Sequence, residues 1–245
     1  MTFIFKITAL FFWSNYKNLN MDTRTQHLLT APPLPLLARM ATPSTLAFLI
    51  QGVVSLAEVW FIGQLGSISL TAIALAFPLL MLTQTLSGGA MGGAVASAIA
   101  RALGAGDIDR AEQVGWIGGL SAGIIAGALG IVLAIFPDGW IALFTQDPLV
   151  HASAKDFIQI AGPCFLFQGL GLSLYFASQG ANAMLWPVLA TILRVAVAGC
   201  VSFSLGFIFD IGLVGICYGA ALGMISYAII IAGALKLGAW RPSAK

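Results

Sequence analysis

Long runs of apolar residues, separated by short polar or charged segments, organise this chain. No charged residue occurs over positions 40–57 or 59–100, and four later runs are also free of charge. A helix needs about 20 predominantly apolar residues to cross the roughly 30 Å hydrocarbon core of a bilayer. Divided at Gly and Pro positions, the runs predict six membrane-spanning helices, over residues 42–62, 69–100, 113–136, 157–179, 186–207 and 213–235.

The composition limits the class of protein further. Of the 245 residues, 59% are hydrophobic and 8% are charged, whereas soluble domains carry roughly 25% charged residues. The charged residues are too few to cover the surface of a soluble protein of this size, and no strongly basic face is available to bind nucleic acid. The apolar runs also lack the alternation of barrel strands. The sequence therefore predicts an all-α integral membrane protein and excludes a soluble enzyme and a nucleic-acid binder.

Basic residues are distributed unevenly between the two sets of loops. Nine of the 11 Lys and Arg residues precede the first predicted span, lie between the second and third, or follow the sixth. Of the other two, Lys155 lies in a loop on the opposite side, and Arg194 lies in the fifth span, within snorkelling reach of its cytoplasmic end. Because cytoplasmic loops are rich in Lys and Arg, both termini are predicted to be cytoplasmic.

Three segments follow from these spans: a cytoplasmic leader over residues 1–40, a six-helix bundle over residues 41–238 and a cytoplasmic tail over residues 239–245. The leader opens with an apolar stretch that is too short to span a membrane and is interrupted by Lys6. Two interpretations of it stay open. It forms an interfacial helix over residues 2–15, or translation starts at Met21 instead of Met1.

Glycines recur at four-residue spacing in two of the predicted spans. Lipid tails are as apolar as Leu, so spanning helices associate where small residues let their backbones approach. The spacing predicts close helix packing, and the same smooth faces would also let bundles rock against each other. The residues assigned to packing are Gly115, Gly119, Gly123 and Gly127 in the third span, and Gly215 and Gly219 in the sixth.

The turn after the second span has residues typical of helix ends. Gly104 and Gly106 suit the positions that terminate a helix. Either Asp107 or Asp109 is predicted to cap the helix that follows.

Glu58 is an acidic residue well inside the apolar sequence, with 18 uncharged residues before it and 42 after it. An intramembrane acid costs roughly 2.5–3.5 kcal/mol on the insertion scale, so it normally faces a cavity or a partner. Gln51 and Ser55 share its helix face, because they lie seven and three residues earlier. We interpret Glu58 as a site that couples to H⁺ or Na⁺. Two alternatives stay open: hydration at the outer end of the span, or a structural hydrogen bond to another helix.

Other polar residues in the spans would line the same cavity. Such a residue can equally form an ordinary hydrogen bond between helices. With Gln51 and Ser55, the candidates are Gln84, Tyr175, Gln179 and Asn182.

The chain offers no constellation for enzymatic chemistry. Residues 119–123 match G-x-S-x-G, but both histidines, His27 and His151, lie outside the predicted spans, so the serine lacks a base. There is no P-loop to bind ATP, and three scattered cysteines with two histidines form no metal-binding pattern. We therefore expect neither an enzyme nor a bound metal or cofactor, apart from H⁺ or Na⁺ as a coupling ion.

The first span and the segments after it resemble one six-helix half of the multidrug and toxic compound extrusion (MATE) family. Pro43 at the helix entry is followed by Glu58 and then by Gly63 and Gly66. Further similarity lies in the segments LTAIALAFPL, ARALGAGDIDRA, FTQDPLV, LYFASQGANAMLWPV and GLVGICYGA, so that the resemblance covers residues 34–241. It implies a multi-pass antiporter in the plasma membrane, such as a bacterial inner membrane, that exports cationic or amphipathic compounds against H⁺ or Na⁺. Many family members carry Asp where this chain has Glu58.

Members of that family have two such halves, and this sequence contains one. An even number of helices gives both halves the same orientation, related by an axis along the membrane normal. A homodimer, or a pairing with another six-helix half, would rebuild a two-half transporter in the lipid bilayer. The alternative is a truncated half-transporter or a membrane subunit that does not transport; a small channel is disfavoured because no filter motif stands out.

Overall fold

The structure is a computed structural model. It describes residues 66–238 and Trp240. It also describes these separate earlier positions: Pro32, Ala41, Thr42, Thr45, Leu49, Gly52, Leu56, Val59, Trp60, Ile62, Gly63 and Gln64. The chain divides into a unit Met1–Thr42 and a unit Pro43–Lys245. The described positions from 41 to 64 are all helical. The leader, the tail beyond Trp240 and most of the first predicted span lie outside the described residues.

The described residues from 66 onward form helices joined by short turns, and none of them is in a β-strand. The helices are α1 (Ser67–Gly104), α2 (Ile108–Ile135), α3 (Pro137–Ile141), α4 (Pro148–Ala161), α5 (Phe165–Gly180), α6 (Leu185–Ile208) and α7 (Leu213–Lys236). Four of them, α1, α2, α6 and α7, are long and apolar enough to cross a membrane. A helical membrane bundle is therefore confirmed, and these four correspond to the second, third, fifth and sixth predicted spans.

The fourth predicted span differs from its expected shape. A single helix over residues 157–179 was predicted, but the structure has α4 and α5, which meet at an angle of 57° and together are long enough to span. The break falls at Gly162–Cys164, where Pro163 lacks the N–H needed to continue the hydrogen-bond ladder. The break also brings two backbones together. A methyl group added at Gly130 of α2 would overlap the Gly162 carbonyl, and one added at Gly162 would lie 2.6 Å from the Gly130 oxygen.

Helix α1 is continuous for 38 residues but changes geometry in its middle. It runs as an α-helix through Pro78 to Gln84 and becomes a π-helix over Thr85–Gly92. Gly88 and Gly92 in this segment accommodate Phe176 of α5, because an added Cβ would lie 2.8 and 2.7 Å from the Phe176 ring. The wide turns of a π-helix thus coincide with the place where a large ring from α5 packs on α1.

The turn between α1 and α2 resolves which residue caps α2. Gly106 has a φ of +80°, its N–H donates to the Leu103 carbonyl at 3.0 Å, and the Asp107 N–H donates to the Ala102 carbonyl at 2.9 Å. This pair of bonds is a Schellman ending, which needs a left-handed residue. Asp107 then starts α2, because its Oδ1 accepts the Arg110 N–H at 2.9 Å. Asp107 is therefore the cap, and Asp109 lies in the first turn of α2.

Glycines of α2 face α5 and the end of α7 at very short range. An added Cβ at Gly115 would lie 2.7 Å from the Trp240 ring, and one at Gly119 would lie 3.1 Å from Leu174. At Gly123 it would lie 3.0 Å from the Leu166 carbonyl oxygen, and at Gly127 it would lie 2.8 Å from the Leu166 Cβ. One stripe of α2 thus lets the two helix backbones approach, which is how apolar helices gain packing energy in lipid.

Helices α6 and α7 approach each other in the same way. An added Cβ at Gly215 would lie 2.6 Å from the Leu205 carbonyl carbon and 2.7 Å from the Gly206 nitrogen. One at Gly219 would overlap the Ser202 hydroxyl and lie 2.8 Å from the Ala198 carbonyl oxygen. Because backbone atoms surround both positions, no side-chain rotation can make room for a larger residue.

We predict that Gly215→Ala destabilises the bundle, because its methyl group would meet the backbone of α6. Overpacking of this kind costs about 1–3 kcal/mol. Thermal unfolding of purified protein in detergent measures the effect. Gly199→Ala is the matched control, because nothing lies within 4 Å of the Cβ it would add. Equal melting temperatures for the two variants would contradict the packing of α6 on α7.

Candidate transport site

The residue expected to couple to a cation is not among those described. Glu58, Gln51 and Ser55 all lie outside the described residues. Their assignment to one polar face of the first span stays a prediction from the sequence.

Gln84 and Tyr175 lie at different levels of the bundle. Helices α1 and α5 run parallel with a constant offset, because Gly88 meets Leu172, Gly92 meets Phe176, and Gly180 meets Ala96. This register places exposed Gln84 level with position 168 of α5. Tyr175 is seven residues farther along, which is about 10 Å along the helix axis. The structure therefore does not bring Gln84 together with Tyr175.

Tyr175 and Gln179 are one turn apart on α5, near its C-terminal end. Tyr175 is buried, and its ring meets Phe176 edge-on, with 5.5 Å between centroids. Gln179 is half-buried. A cavity at this level would thus have α5 as one wall.

Asn182 has a backbone role that explains its residue type. Its φ is +53°, its N–H donates to the Gln179 carbonyl at 3.0 Å, and the next N–H, of Ala183, donates to the Ser178 carbonyl at 2.9 Å. Asn tolerates this left-handed conformation better than most residues. Its side chain is exposed. The structure places Asn182 where α5 ends, a role that was not anticipated from the sequence.

A cluster centred on Tyr227 was missed in the sequence. Tyr227 of α7 is buried, and its ring packs against α5, where an added Cβ at Gly171 would be 2.6 Å from a ring carbon. The side chains of Thr191 of α6 and Tyr175 of α5 lie near its phenol. These contacts join α5, α6 and α7 through polar groups.

Arg194 completes this cluster. Its Cζ lies 5.5 Å from the centre of the Tyr227 ring, a cation–π contact, and the residue is half-buried. It is the tenth residue of α6, about 14 Å from the start of that helix. The feature that could have identified it is its position, since it is the single charge that interrupts the apolar sequence from residue 157 to residue 209.

Three buried polar atoms on α1 and α5 have no hydrogen-bond partner in the described part of the chain. They are Ser87 Oγ in the π-helical segment, and Gln168 Oε1 and Ser173 Oγ on α5. An unpaired buried polar atom costs about 1–3 kcal/mol. The α1–α5 side of the bundle therefore has polar groups available for water or for a partner from elsewhere. Over the same described residues, no three His, Cys, Asp or Glu side chains come together in a way that would hold a metal ion.

The architecture and its packing define a class of protein: a polytopic helical membrane protein whose spans associate through small residues. The MatE family model matches residues 43–203. The chain therefore belongs to the MatE family, as the resemblance in its sequence implied.

Relatives of known sequence or structure agree with this family. A "Probable multidrug resistance protein NorM" of Thermotoga maritima is 31% identical over 124 residues, which are 50% of this chain and 25% of that protein. The fold is similar to a MATE crystal structure in complex with MaD3S, with a TM-score of 0.77 at 22% identity, over 89% of this chain and 51% of that chain. It is also similar to the Vibrio cholerae MATE transporter VcmN in the bent form, with a TM-score of 0.74 at 21% identity, over 85% and 47% of the two chains. The chain thus spans about half the length of these structures.

Proposed function

We propose that this protein is one half of a secondary active transporter that exports cationic or amphipathic drugs and other xenobiotics in exchange for H⁺ or Na⁺. The observation that carries the proposal is the MatE family match over residues 43–203. A relative named for multidrug resistance supports the choice of substrate class. The proposed location is the plasma membrane, specifically a bacterial inner membrane. The positions of the basic residues predict that both termini of the protein lie on the cytoplasmic side.

Glu58 is the proposed coupling residue. It is the acid that interrupts the uncharged sequence of the first predicted span, with Gln51 and Ser55 on the same helix face. An acid at such a place exchanges a cation when a water-filled cavity opens beside it. Gln84, Tyr175 and Gln179 are proposed to line that cavity at successive depths, while the position of Asn182 at the end of α5 also has a purely structural explanation.

A second six-helix half is the proposed partner, supplied by a second copy of this chain or by another half. Support comes from the length of the related structures, of which this chain matches 51% and 47% in the two examples above. Alternating access by rocking requires two bundles around one site. A half-transporter that inserts without transporting is the competing function.

We predict that Glu58→Gln abolishes gradient-driven transport. Purified protein in liposomes should move a fluorescent organic cation such as ethidium when a pH or Na⁺ gradient is imposed, because the carboxylate exchanges one cation for the other. The variant keeps the size of the side chain but not its charge, so flux should fall to the level of empty liposomes. Glu58→Asp is the matched control, because it retains a carboxylate and should retain part of the flux.

Two outcomes would contradict this function. Absence of wild-type flux under either gradient would favour the non-transporting half. Flux that persists in Glu58→Gln and ignores the gradient would indicate a channel.

We predict that the protein forms dimers in its native membrane. Wild-type and epitope-tagged copies are expressed together at a low level and crosslinked chemically. Purification through the tag should recover both forms, because two halves are needed to enclose a site. Recovery of the tagged copy alone would exclude the homodimer, and co-purification with a different six-helix chain would identify a heteromeric partner.

A further inference from the structure

Arg194 carries a positive charge inside a membrane-spanning helix. It is the tenth residue of the 24-residue helix α6, and the sequence is uncharged over residues 157–193 before it and 195–209 after it. A charged side chain at such a depth is costly and is normally neutralised by an opposite charge or by contact with a water-filled cavity. The charge of Arg194 therefore requires a compensating group.

No described acid compensates this charge. Asp138 interacts with His151 and Lys155, and Arg194 forms no ion pair with a described residue. The described partner of Arg194 is the Tyr227 ring, 5.5 Å from its Cζ. An aromatic face attracts a cation but accepts none of the five N–H groups of a guanidinium. Within the described residues, these donors have no carboxylate to bind.

Contacts with α7 hold the Arg194 side chain in place. Gly223 of α7 leaves space for the Arg194 stem, because an added Cβ there would lie 3.5 Å from the Arg194 Cγ and 3.3 Å from its carbonyl oxygen. One turn along α7, the Tyr227 ring supports the charged end, and Gly171 of α5 leaves room for that ring. Snorkelling alone would leave the side chain free to extend toward the membrane surface. Here the stem and the head both contact α7.

We propose that Arg194, held on Tyr227 between α5, α6 and α7, binds an anionic group: a carboxylate, phosphate or sulfonate. The Arg194 side chain is half-buried, so part of it stays accessible to a ligand. A guanidinium carries a planar fork of donors, and such a fork binds these groups through two parallel hydrogen bonds. The anion belongs to a small amphipathic molecule or to the headgroup of an acidic lipid. The proposal does not depend on the cation-coupling role of Glu58, and its test measures binding without requiring transport.

The test compares two probes that differ in the sign of their charge. Full-length protein in phosphatidylcholine nanodiscs is titrated with radiolabelled decanoate and with decyltrimethylammonium, and binding to empty nanodiscs is subtracted. Decanoate should bind saturably. Arg194→Gln should weaken decanoate binding roughly tenfold or more, because charge-assisted hydrogen bonds are lost, and should not weaken binding of decyltrimethylammonium.

Three further variants separate the site from general effects of charge and folding. Arg194→Lys keeps the charge but loses the planar fork, so its decanoate affinity should fall between those of wild type and Arg194→Gln. Tyr227→Leu removes the ring that supports the guanidinium, so its decanoate affinity should also fall below that of wild type. Arg110→Gln removes an exposed arginine from the first turn of α2 and should bind like wild type.

The source of the anion is distinguished by adding phosphatidylglycerol to the nanodiscs. Competition with decanoate, together with phosphatidylglycerol that stays bound in native mass spectrometry of wild type but not of Arg194→Gln, would assign the site to lipid. Decanoate binding that phosphatidylglycerol does not reduce would assign it to a soluble amphipathic anion.

Two results would overturn the proposal. One is decanoate binding that is equal in wild type and Arg194→Gln. The other is the absence of saturable decanoate binding in wild type. If binding then appears in Glu58→Gln, the charge of Arg194 is neutralised by that carboxylate.

Discussion

Close approach of helix backbones is the constraint on which the rest of this structure depends. In lipid, the hydrophobic effect does not drive apolar helices together, so association relies on packing at small residues and on polar contacts between helices. Here α2 meets α5 along Gly119, Gly123 and Gly127, and α7 meets α6 at Gly215 and Gly219. The large side chains that pack in this bundle, such as Leu166 and Phe176, occupy space that glycines leave on the neighbouring helix.

The same constraint positions the polar residues. Gly171 and Gly223 are small because a tyrosine ring and an arginine stem lie against them. Tyr227 and Arg194 can therefore meet between α6 and α7 without separating the helices. In α1, Gly88 and Gly92 of the π-helical segment let Phe176 of α5 approach the backbone, and the same segment carries the buried hydroxyl of Ser87. Packing and chemistry in this bundle thus depend on the same small residues.

Most of the helical architecture follows from the sequence, because a span is a local property of about 20 residues. The α4–α5 break was missed because residues 157–179 carry no charge and were predicted as one helix, although Gly162 and Pro163 lie among them. Lys155 was assigned to a loop, but the structure has it half-buried on α4, where it pairs with Asp138. The spacing of the glycines in α2 was visible, but their partners Leu166 and Leu174 were not, since helix pairing is a tertiary property. The Arg194–Tyr227 contact joins residues 33 positions apart and has no local pattern at all.

The proposed function requires a carboxylate of the first span at a water-filled cavity between two halves. The most direct test is a cryo-electron microscopy map of the purified protein in lipid nanodiscs, resolved well enough to locate the Glu58 side chain. We predict two six-helix bundles related by an axis along the membrane normal, with Glu58 pointing into a hydrated space between them. A Glu58 side chain that faces acyl chains, or one in bulk solvent with no cavity beside it, would contradict the proposed function.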